Sequence, residues 1–222
     1  FSTAQSKVDR RGPSQSLFKK NLSRKLSFRT DMRAFFASAI SLKGDSVMEN
    51  SRVTTKNYDG SITLSYKEGV VIPKTDFNFT IVQSNENIQY FDSVFMALLT
   101  YKEPVIKNWK LVNETKVINT INCKKAEVTF KGRNWIAWFC KEIPFFEGPY
   151  KFKGLPGLIF EIYDDHENYH FTVIKIQNIP PFDTSEFLES NYGDLPLEIS
   201  DSKRKELLLT YYNAPYWRAK RW

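Results

Sequence analysis

The chain has 222 residues, a net charge of +7 at pH 7, and 41% hydrophobic and 15% aromatic residues. This composition excludes a disordered polypeptide and predicts a globular fold with a substantial hydrophobic core. No apolar run approaches the roughly 18 to 20 residues that a membrane-spanning helix requires. The two cysteines lack the spacing of a zinc module, and we expect no cofactor.

Positive charge is concentrated in residues 1–43, which contain ten Lys and Arg residues and two Asp residues, a net charge of +8. We treat this basic arm as the first of three segments. Leu17, Leu22 and Leu26 recur at intervals of four or five, which predicts an amphipathic helix from Ser14 to Arg29. Such a helix would dock on the rest of the protein or contact anionic lipid or lipopolysaccharide phosphates. Nucleic acid is a weaker candidate because no aromatic residues suited to base stacking interleave the basic ones.

Residues 44–182 are predicted to form an antiparallel β domain. Asp59-Gly60 favours a hairpin between residues 52–56 and 61–66. Further strands are expected at 70–72, 77–82, 105–111 and 116–121, and residues 85–103 should hold a core strand or helix. The third segment, residues 183–222, should contain a helix that begins at Ser200 or Asp201. The fold class is therefore α+β, mainly β: a highly curved, half-barrel-like antiparallel sheet of hairpins with a few helices.

The chain is organised around a hairpin of residues 127–130 and 134–139, with Lys131-Gly132 as a two-residue turn. In that register, paired residues have numbers that sum to 263, and Cys123 falls opposite Cys140. Cysteines that face each other across antiparallel strands lie close to bridging distance. Two buried free thiols are equally compatible with the sequence, so the disulfide remains open.

A second hairpin should follow, with strands at 158–163 and 169–176. Its turn collects Asp164, His166 and His170, residue types that bind divalent metals. A charged hairpin tip is also what solvent exposure produces, and no distant cluster supplies further ligands. We therefore keep these three residues only as weak metal candidates.

Between the hairpins, Gly148-Pro149 and Gly154-Leu155-Pro156-Gly157 predict a rigid corner. The run from Cys123 to Asp165 resembles the GLPGLI family of exported Bacteroidota proteins, named for the hexapeptide that stands here at Gly154, Leu155, Pro156, Gly157, Leu158 and Ile159. The resemblance is close over residues 105–175 and thinner over 45–105. It also includes Trp109, Lys125-Ala126, Gly132-Arg133, Ala137-Trp138, Ile143-Pro144, Gly148-Pro149 and Phe152. It implies export to the periplasm or outer membrane, often near TonB-dependent receptors, and supplies no catalytic residue set.

Aromatic residues near the corner are the better functional candidates, because exposed rings beside basic residues typically form binding surfaces. The predicted binding residues are Arg133, Trp135, Trp138, Phe145, Phe146, Tyr150 and Phe152, with Lys141, Lys151 and Lys153 nearby. They favour a non-enzymatic accessory protein that binds a protein, peptide or lipid, such as a subunit of an outer-membrane transport or assembly complex. The alternative is a secreted metal-dependent hydrolase or peptidase that uses the Asp164–His170 tip.

Overall fold

The computed structural model describes residues 2–9, 22–28, 34–73, 75, 77, 79–94, 97–178 and 196–213. The regular elements are fourteen strands and two helices within these ranges. The strands are β1 (Ser2–Asp9), β2 (Leu22–Phe28), β3 (Ala34–Ser38), β4 (Arg52–Lys56), β5 (Ile62–Tyr66), β6 (Thr80–Gln83), β7 (Asn87–Val94), β8 (Ala97–Pro104), β9 (Lys110–Ile118), β10 (Ile121–Phe130), β11 (Arg133–Cys140), β12 (Leu158–Asp164), β13 (His170–Asn178) and β14 (Leu197–Glu198). The helices are α1 (Ala39–Ser51) and α2 (Asp201–Asn213).

Twelve strands form one sheet in the order β14-β8-β7-β6-β3-β2-β1-β13-β12-β11-β10-β9, and β4 and β5 pair separately. Every pairing is antiparallel except the short β14–β8 contact. The sheet is thus two meanders joined where β1 pairs with β13. The predicted class, mainly β with a few helices, is confirmed.

The sheet curls strongly, which brings its two ends together around one core. Lys131, in the turn between β10 and β11, lies 2.9 Å from Glu103 of β8, although these strands sit near opposite edges of the sheet. Phe36 of β3 and Phe171 of β13 have ring centroids 6.3 Å apart across two intervening strands. Buried residues from both meanders form a single hydrophobic cluster.

The organising hairpin has the predicted register. Phe130 pairs with Arg133 and Val128 with Trp135. Lys131 and Gly132 have φ values of 51° and 75°, the left-handed conformations that a tight two-residue hairpin turn requires. The second hairpin, β12–β13, and the isolated β4–β5 hairpin also form where they were predicted.

The cysteines are free and completely buried, so the structure contradicts the disulfide and agrees with the alternative of two buried thiols. The β10–β11 ladder ends at the Lys124–Phe139 pair, one position short of the cysteines. The Cys123 thiol points instead toward the Ile121 carbonyl at 3.7 Å. Burial, followed by the neighbouring Cys140, raises the pKa of the Cys123 thiol to about 12.

The N-terminal helix prediction is wrong over residues 22–28, which form β2 in the middle of the sheet. Residues 14–21 lie outside the described residues. A spacing of four residues fits one face of a strand as well as one face of a helix, and pairing with β1 and β3 selects the strand. The three-segment division stays a prediction, although β1 and β2 belong to the sheet and residues 34–43 form β3 and the start of α1.

Several boundaries also differ. Residues 70–72 form no strand, the segment 85–103 holds the two strands β7 and β8, and β9 spans the gap left between the predicted strands 105–111 and 116–121. The C-terminal helix begins at Asp201 as predicted. The Ser200 hydroxyl caps its first turn by accepting a hydrogen bond from the Lys203 N–H at 3.1 Å. Neither α1 nor α2 has the length and apolarity needed to cross a bilayer.

Candidate functional site

The corner between the two hairpins, residues 141–157, packs against β6, β8 and β11 of the curled sheet. Gln83 of β6 donates hydrogen bonds from Nε2 to the carbonyl oxygens of Gly148 at 3.2 Å and Tyr150 at 2.6 Å. Gly157 lies against β11 so closely that a Cβ there would sit 2.0 Å from the Cys140 carbonyl oxygen. The glycines therefore set how tightly the corner packs, as the sequence predicted for a rigid bend.

Two lysines of the corner are buried, contrary to the expectation that they flank an exposed binding surface. The Lys151 side chain is 2% exposed; its ammonium donates to the Tyr101 hydroxyl at 2.6 Å and forms an ion pair with Glu103. Lys153 donates to the Ser84 carbonyl at 2.6 Å and pairs with Glu147 at 3.1 Å. Buried ammonium groups need such partners, so Lys151 attaches the corner to β8 and Lys153 attaches it to the loop before β7.

Inside this frame lies a cavity of about 220 Å³ lined mainly by aromatic rings. The rings come from β10, β11, the corner, the segment before β6, and β13 with the residue that precedes it. Two basic residues complete the wall. The lining residues are Phe77, Phe79, Phe130, Lys131, Arg133, Trp135, Tyr150, Tyr169 and Phe171.

Contacts among the lining rings and with neighbouring residues hold these rings in place. The ring centroids of Trp135 and the fully buried Phe152 lie 4.5 Å apart. The Trp135 indole N–H donates to the Phe130 carbonyl at 3.1 Å. The Tyr150 ring stacks on Phe171 with centroids 6.5 Å apart. Tyr150 has a φ of 59°, a left-handed conformation that costs a bulky residue of order 1–3 kcal/mol. The corner thus holds Tyr150 in the cavity wall at some conformational cost.

The rim of the cavity carries charges of both signs. Lys131 pairs with Glu103 and, at 3.4 Å, with Asp201. Arg133 Nη1 lies 2.6 Å from Asp164 Oδ2, and its guanidinium lies 5.0 Å from the Tyr169 ring centroid. Burial alone would raise the pKa of Asp164, but hydrogen bonds from the Tyr169 N–H and from Arg133 hold that pKa below its usual value.

Three of the seven predicted binding residues, Arg133, Trp135 and Tyr150, meet in this cavity. Trp138 lies on the opposite face of β11, with its indole N–H 3.5 Å from the Tyr163 hydroxyl. Phe152 is core, whereas Phe145 and Phe146 are exposed. A role in binding stays a prediction for all seven.

The other lining residues were not among the predicted binding residues. Phe77 and Phe79, like Tyr169 and Phe171, are aromatic residues two positions apart, a spacing that places both side chains on one side of an extended backbone. Phe77 and Phe79 precede β6, and Tyr169 precedes β13. Phe130 and Lys131 adjoin the predicted turn. The alternation was therefore a usable signal, but nothing local indicated that the segment at 77–79 faces the segment at 169–171.

The residues of the second hairpin's tip are not gathered into a metal site. Asp164 is tied to Arg133, and His170 Nε2 lies 2.9 Å from Glu161 Oε1, which, with a salt bridge from Lys116, holds the pKa of Glu161 below its usual value. His166 is exposed, 3.8 Å from Asp165. Over the described ranges, no three His, Cys, Asp or Glu side chains lie close enough to hold a metal ion.

These observations define a curled antiparallel sheet that encloses an aromatic cavity beneath a glycine- and proline-rich corner. A family model described as "Protein of unknown function (Porph_ging)" matches residues 127–161. That stretch contains the organising turn, the corner and the hexapeptide. No match was found among curated proteins.

Two solved structures are similar over 95% of the chain, "Structure of PNGF-II in P21 space group" and "Structure of PNGF-II in C2 space group". Their sequence identities are 10% and 11%, with TM-scores of 0.59 and 0.60. The chain spans only 33% of the length of the matched chain in each structure. At this identity the likeness concerns the fold alone.

Proposed function

We propose that this protein is a non-enzymatic binding protein that takes an apolar, ring-bearing side chain of a partner polypeptide into its aromatic cavity. The observation that carries the proposal is the cavity itself: a concave space of about 220 Å³ walled by seven aromatic rings. Pockets that combine apolar walls with a few polar groups are typical of ligand sites. The volume suits one large side chain better than an extended lipid.

The chemistry of the wall supports this choice. Ring edges and faces pair favourably with another aromatic ring at centroid distances of roughly 4.5–7 Å. Lys131 pairs with Glu103 and Asp201. Arg133 pairs with Asp164, which is fully buried. The charges beside the cavity are therefore balanced within the protein, which favours an uncharged guest.

The compartment is part of the same proposal. The hexapeptide Gly154–Ile159 lies within the stretch that the family model matches, in keeping with the resemblance to exported GLPGLI proteins. We propose that the chain works in the periplasm or at the outer membrane. A subunit of a transport complex linked to a TonB-dependent receptor is the partner class that the resemblance suggests.

The binding test uses N-acetyl-tryptophanamide, N-acetyl-phenylalaninamide and N-acetyl-alaninamide, titrated into the protein and followed by NMR. We expect the two aromatic probes to bind with dissociation constants of about 1 mM or tighter, typical of good fragments, and the alanine probe not to bind. Tyr169→Ala removes one wall of the cavity and should weaken binding about tenfold. Phe146→Ala, an exposed ring outside the cavity, is the matched control and should bind as the wild type does.

Two results would reject the cavity as the site: no binding of either aromatic probe, or loss of binding in Phe146→Ala with full binding in Tyr169→Ala. If the aromatic probes bind as expected, the partner is sought by affinity purification from outer-membrane extracts in mild detergent. A partner that the cavity recognises should be retained by Phe146→Ala and lost with Tyr169→Ala.

A further inference from the structure

The β4–β5 hairpin stands away from the rest of the described structure. All ten residues of its two strands are exposed, and neither strand pairs with a described strand of the large sheet. It is anchored at its base, where the Lys67 N–H donates to the Ser51 carbonyl at 2.9 Å and the Lys67 ammonium donates to the Asn50 carbonyl at 3.3 Å. Two-stranded hairpins are marginally stable without a further surface to pack on.

One face of this hairpin is apolar and basic. Ile62, Leu64 and Tyr66 alternate along β5 and are 65%, 60% and 50% exposed. Directly opposite them on β4 stand Lys56, Thr54 and Arg52, and residues directly opposite on antiparallel strands point to the same side. The other face holds Val53, Thr55, Thr63 and Ser65, and is neutral.

The nearby acidic groups do not cancel this pattern. Asp59, in the turn, accepts hydrogen bonds from the Ser61 N–H at 2.9 Å and the Ser61 hydroxyl at 2.6 Å, which directs its carboxylate into the turn. Arg52 lies 3.4 Å from Glu49, and both side chains are about half exposed or more. An ion pair this exposed is weak, so Arg52 remains available to an external anion.

We propose that this face, Arg52, Thr54, Lys56, Ile62, Leu64 and Tyr66, docks on the surface of an anionic lipid bilayer. Apolar side chains bury in the boundary between headgroups and acyl chains, while Lys and Arg extend their charges to lipid phosphates. Tyr is favoured at that boundary because its ring is apolar and its hydroxyl polar. The net positive charge of the chain lies in residues 1–43 and adds a general attraction to such a surface.

A second copy of the chain fits this face less well. Two identical faces packed together would bring the Arg52 and Lys56 cations of both copies into a shared apolar interface, where like charges are costly. An anionic bilayer supplies both the apolar layer and the negative charge. The basic residues of 1–43 are a separate source of lipid attraction, which the controls must separate from the hairpin.

The test is flotation of the full chain with vesicles of phosphatidylcholine containing 30 mol% phosphatidylglycerol, against vesicles of phosphatidylcholine alone. The wild type should float with the anionic vesicles at low salt and much less with the neutral ones. Ile62→Ser/Leu64→Ser should lower the partition coefficient about tenfold or more, because two aliphatic side chains are no longer transferred. The matched control Val53→Ser/Thr63→Ser, on the other face of the same strands, should change it less than about twofold.

Equal flotation of the wild type and Ile62→Ser/Leu64→Ser would overturn the proposal and assign lipid binding to other residues. No flotation of the wild type with anionic vesicles would also overturn it. So would a concentration-dependent dimer in vesicle-free sedimentation that Ile62→Ser/Leu64→Ser abolishes, since that result assigns the face to a second copy. Circular dichroism of each variant confirms that the changes leave the fold intact.

Discussion

The buried Lys151–Glu103 pair should make a large contribution to the attachment of the corner. The Lys151 side chain is 2% exposed and that of Glu103 14% exposed. Burial, opposed by the hydrogen bond to Glu103, lowers the pKa of the Lys151 ammonium. The ammonium also lies 4.8 Å from the Tyr101 ring centroid. This group is therefore poorly solvated and depends on its protein partners for stabilisation.

Removing one member of a buried ion pair leaves the other charge buried without its partner and typically lowers the free energy of unfolding by about 3–5 kcal/mol. We expect Glu103→Gln to lower the free energy of unfolding by about that amount, because Lys151 then keeps only weaker partners such as the Tyr101 hydroxyl. Lys151→Met should cost less, about 2–3 kcal/mol, because Glu103 retains Lys131 at 2.9 Å. Against a total stability of about 5–15 kcal/mol, either loss is easily measured.

The assay is urea unfolding of the wild type, both single variants and the double variant at pH 7. The double variant should be more stable than the sum of the two losses predicts, with a coupling energy of about 2 kcal/mol or more. The Lys102–Glu198 pair, whose side chains are 48% and 62% exposed, is the control and should show coupling below about 0.5 kcal/mol. Similar coupling energies for the two pairs would refute the argument from burial.

Three further predictions concern the corner, the rim and the cysteines. Gly157→Ala should destabilise the fold by more than about 3 kcal/mol because the new Cβ would collide with the backbone of β11. Gly132→Ala is the control: its Cβ would stand in open space at φ +75°, and it should cost only about 1 kcal/mol. Similar losses for the two variants in urea unfolding would contradict the close approach of Gly157 to β11. The charges of Lys131, Lys205 and Arg204 outweigh burial and lower the pKa of Asp201 from 3.8 to about 2. This stabilisation is complete above the unfolded-state value and lost as pH falls toward 2. Asp201→Asn should therefore cost about 1–2 kcal/mol at pH 7 after allowance for solvent screening and progressively less below pH 4; a loss that is unchanged at pH 2.5 would contradict the assignment. Cys123 and Cys140 should react with a thiol reagent only after denaturation, as measured by mass spectrometry, and an intramolecular disulfide in the purified protein would contradict the two free thiols.

Hairpins were predictable because turn chemistry is local. Lys131-Gly132 is a two-residue turn that fixes the register of β10 and β11. Asp59-Gly60 marked the second turn correctly, although the β4–β5 loop has three residues and is closed by the Asn57 N–H bond to the Ser61 carbonyl. Extending the register to Cys123 and Cys140 left a disulfide and two free thiols as alternatives, and the structure has the free thiols because the ladder ends at Lys124–Phe139.

Long-range features were not predictable from a single sequence. Lys151 was read as a surface residue because Glu103 and Tyr101 are about 50 positions earlier in the chain, and nothing beside Lys151 signals burial. The aromatic cavity was missed in the same way. Phe79 and Tyr150 come together only because the sheet curls and the corner folds back over it. The strand at 22–28 formed where spacing suggested a helix because its two neighbours in the sheet supply hydrogen-bond partners.

The most direct test of the central claim is where an aromatic guest binds. Intermolecular nuclear Overhauser effects should be recorded for the wild type saturated with N-acetyl-tryptophanamide. If the probe binds in the cavity, we expect nuclear Overhauser effects between its indole and the rings of Phe79, Trp135 and Tyr169. Effects confined to Phe145 and Phe146 would place binding on the exposed side of the corner and contradict the account.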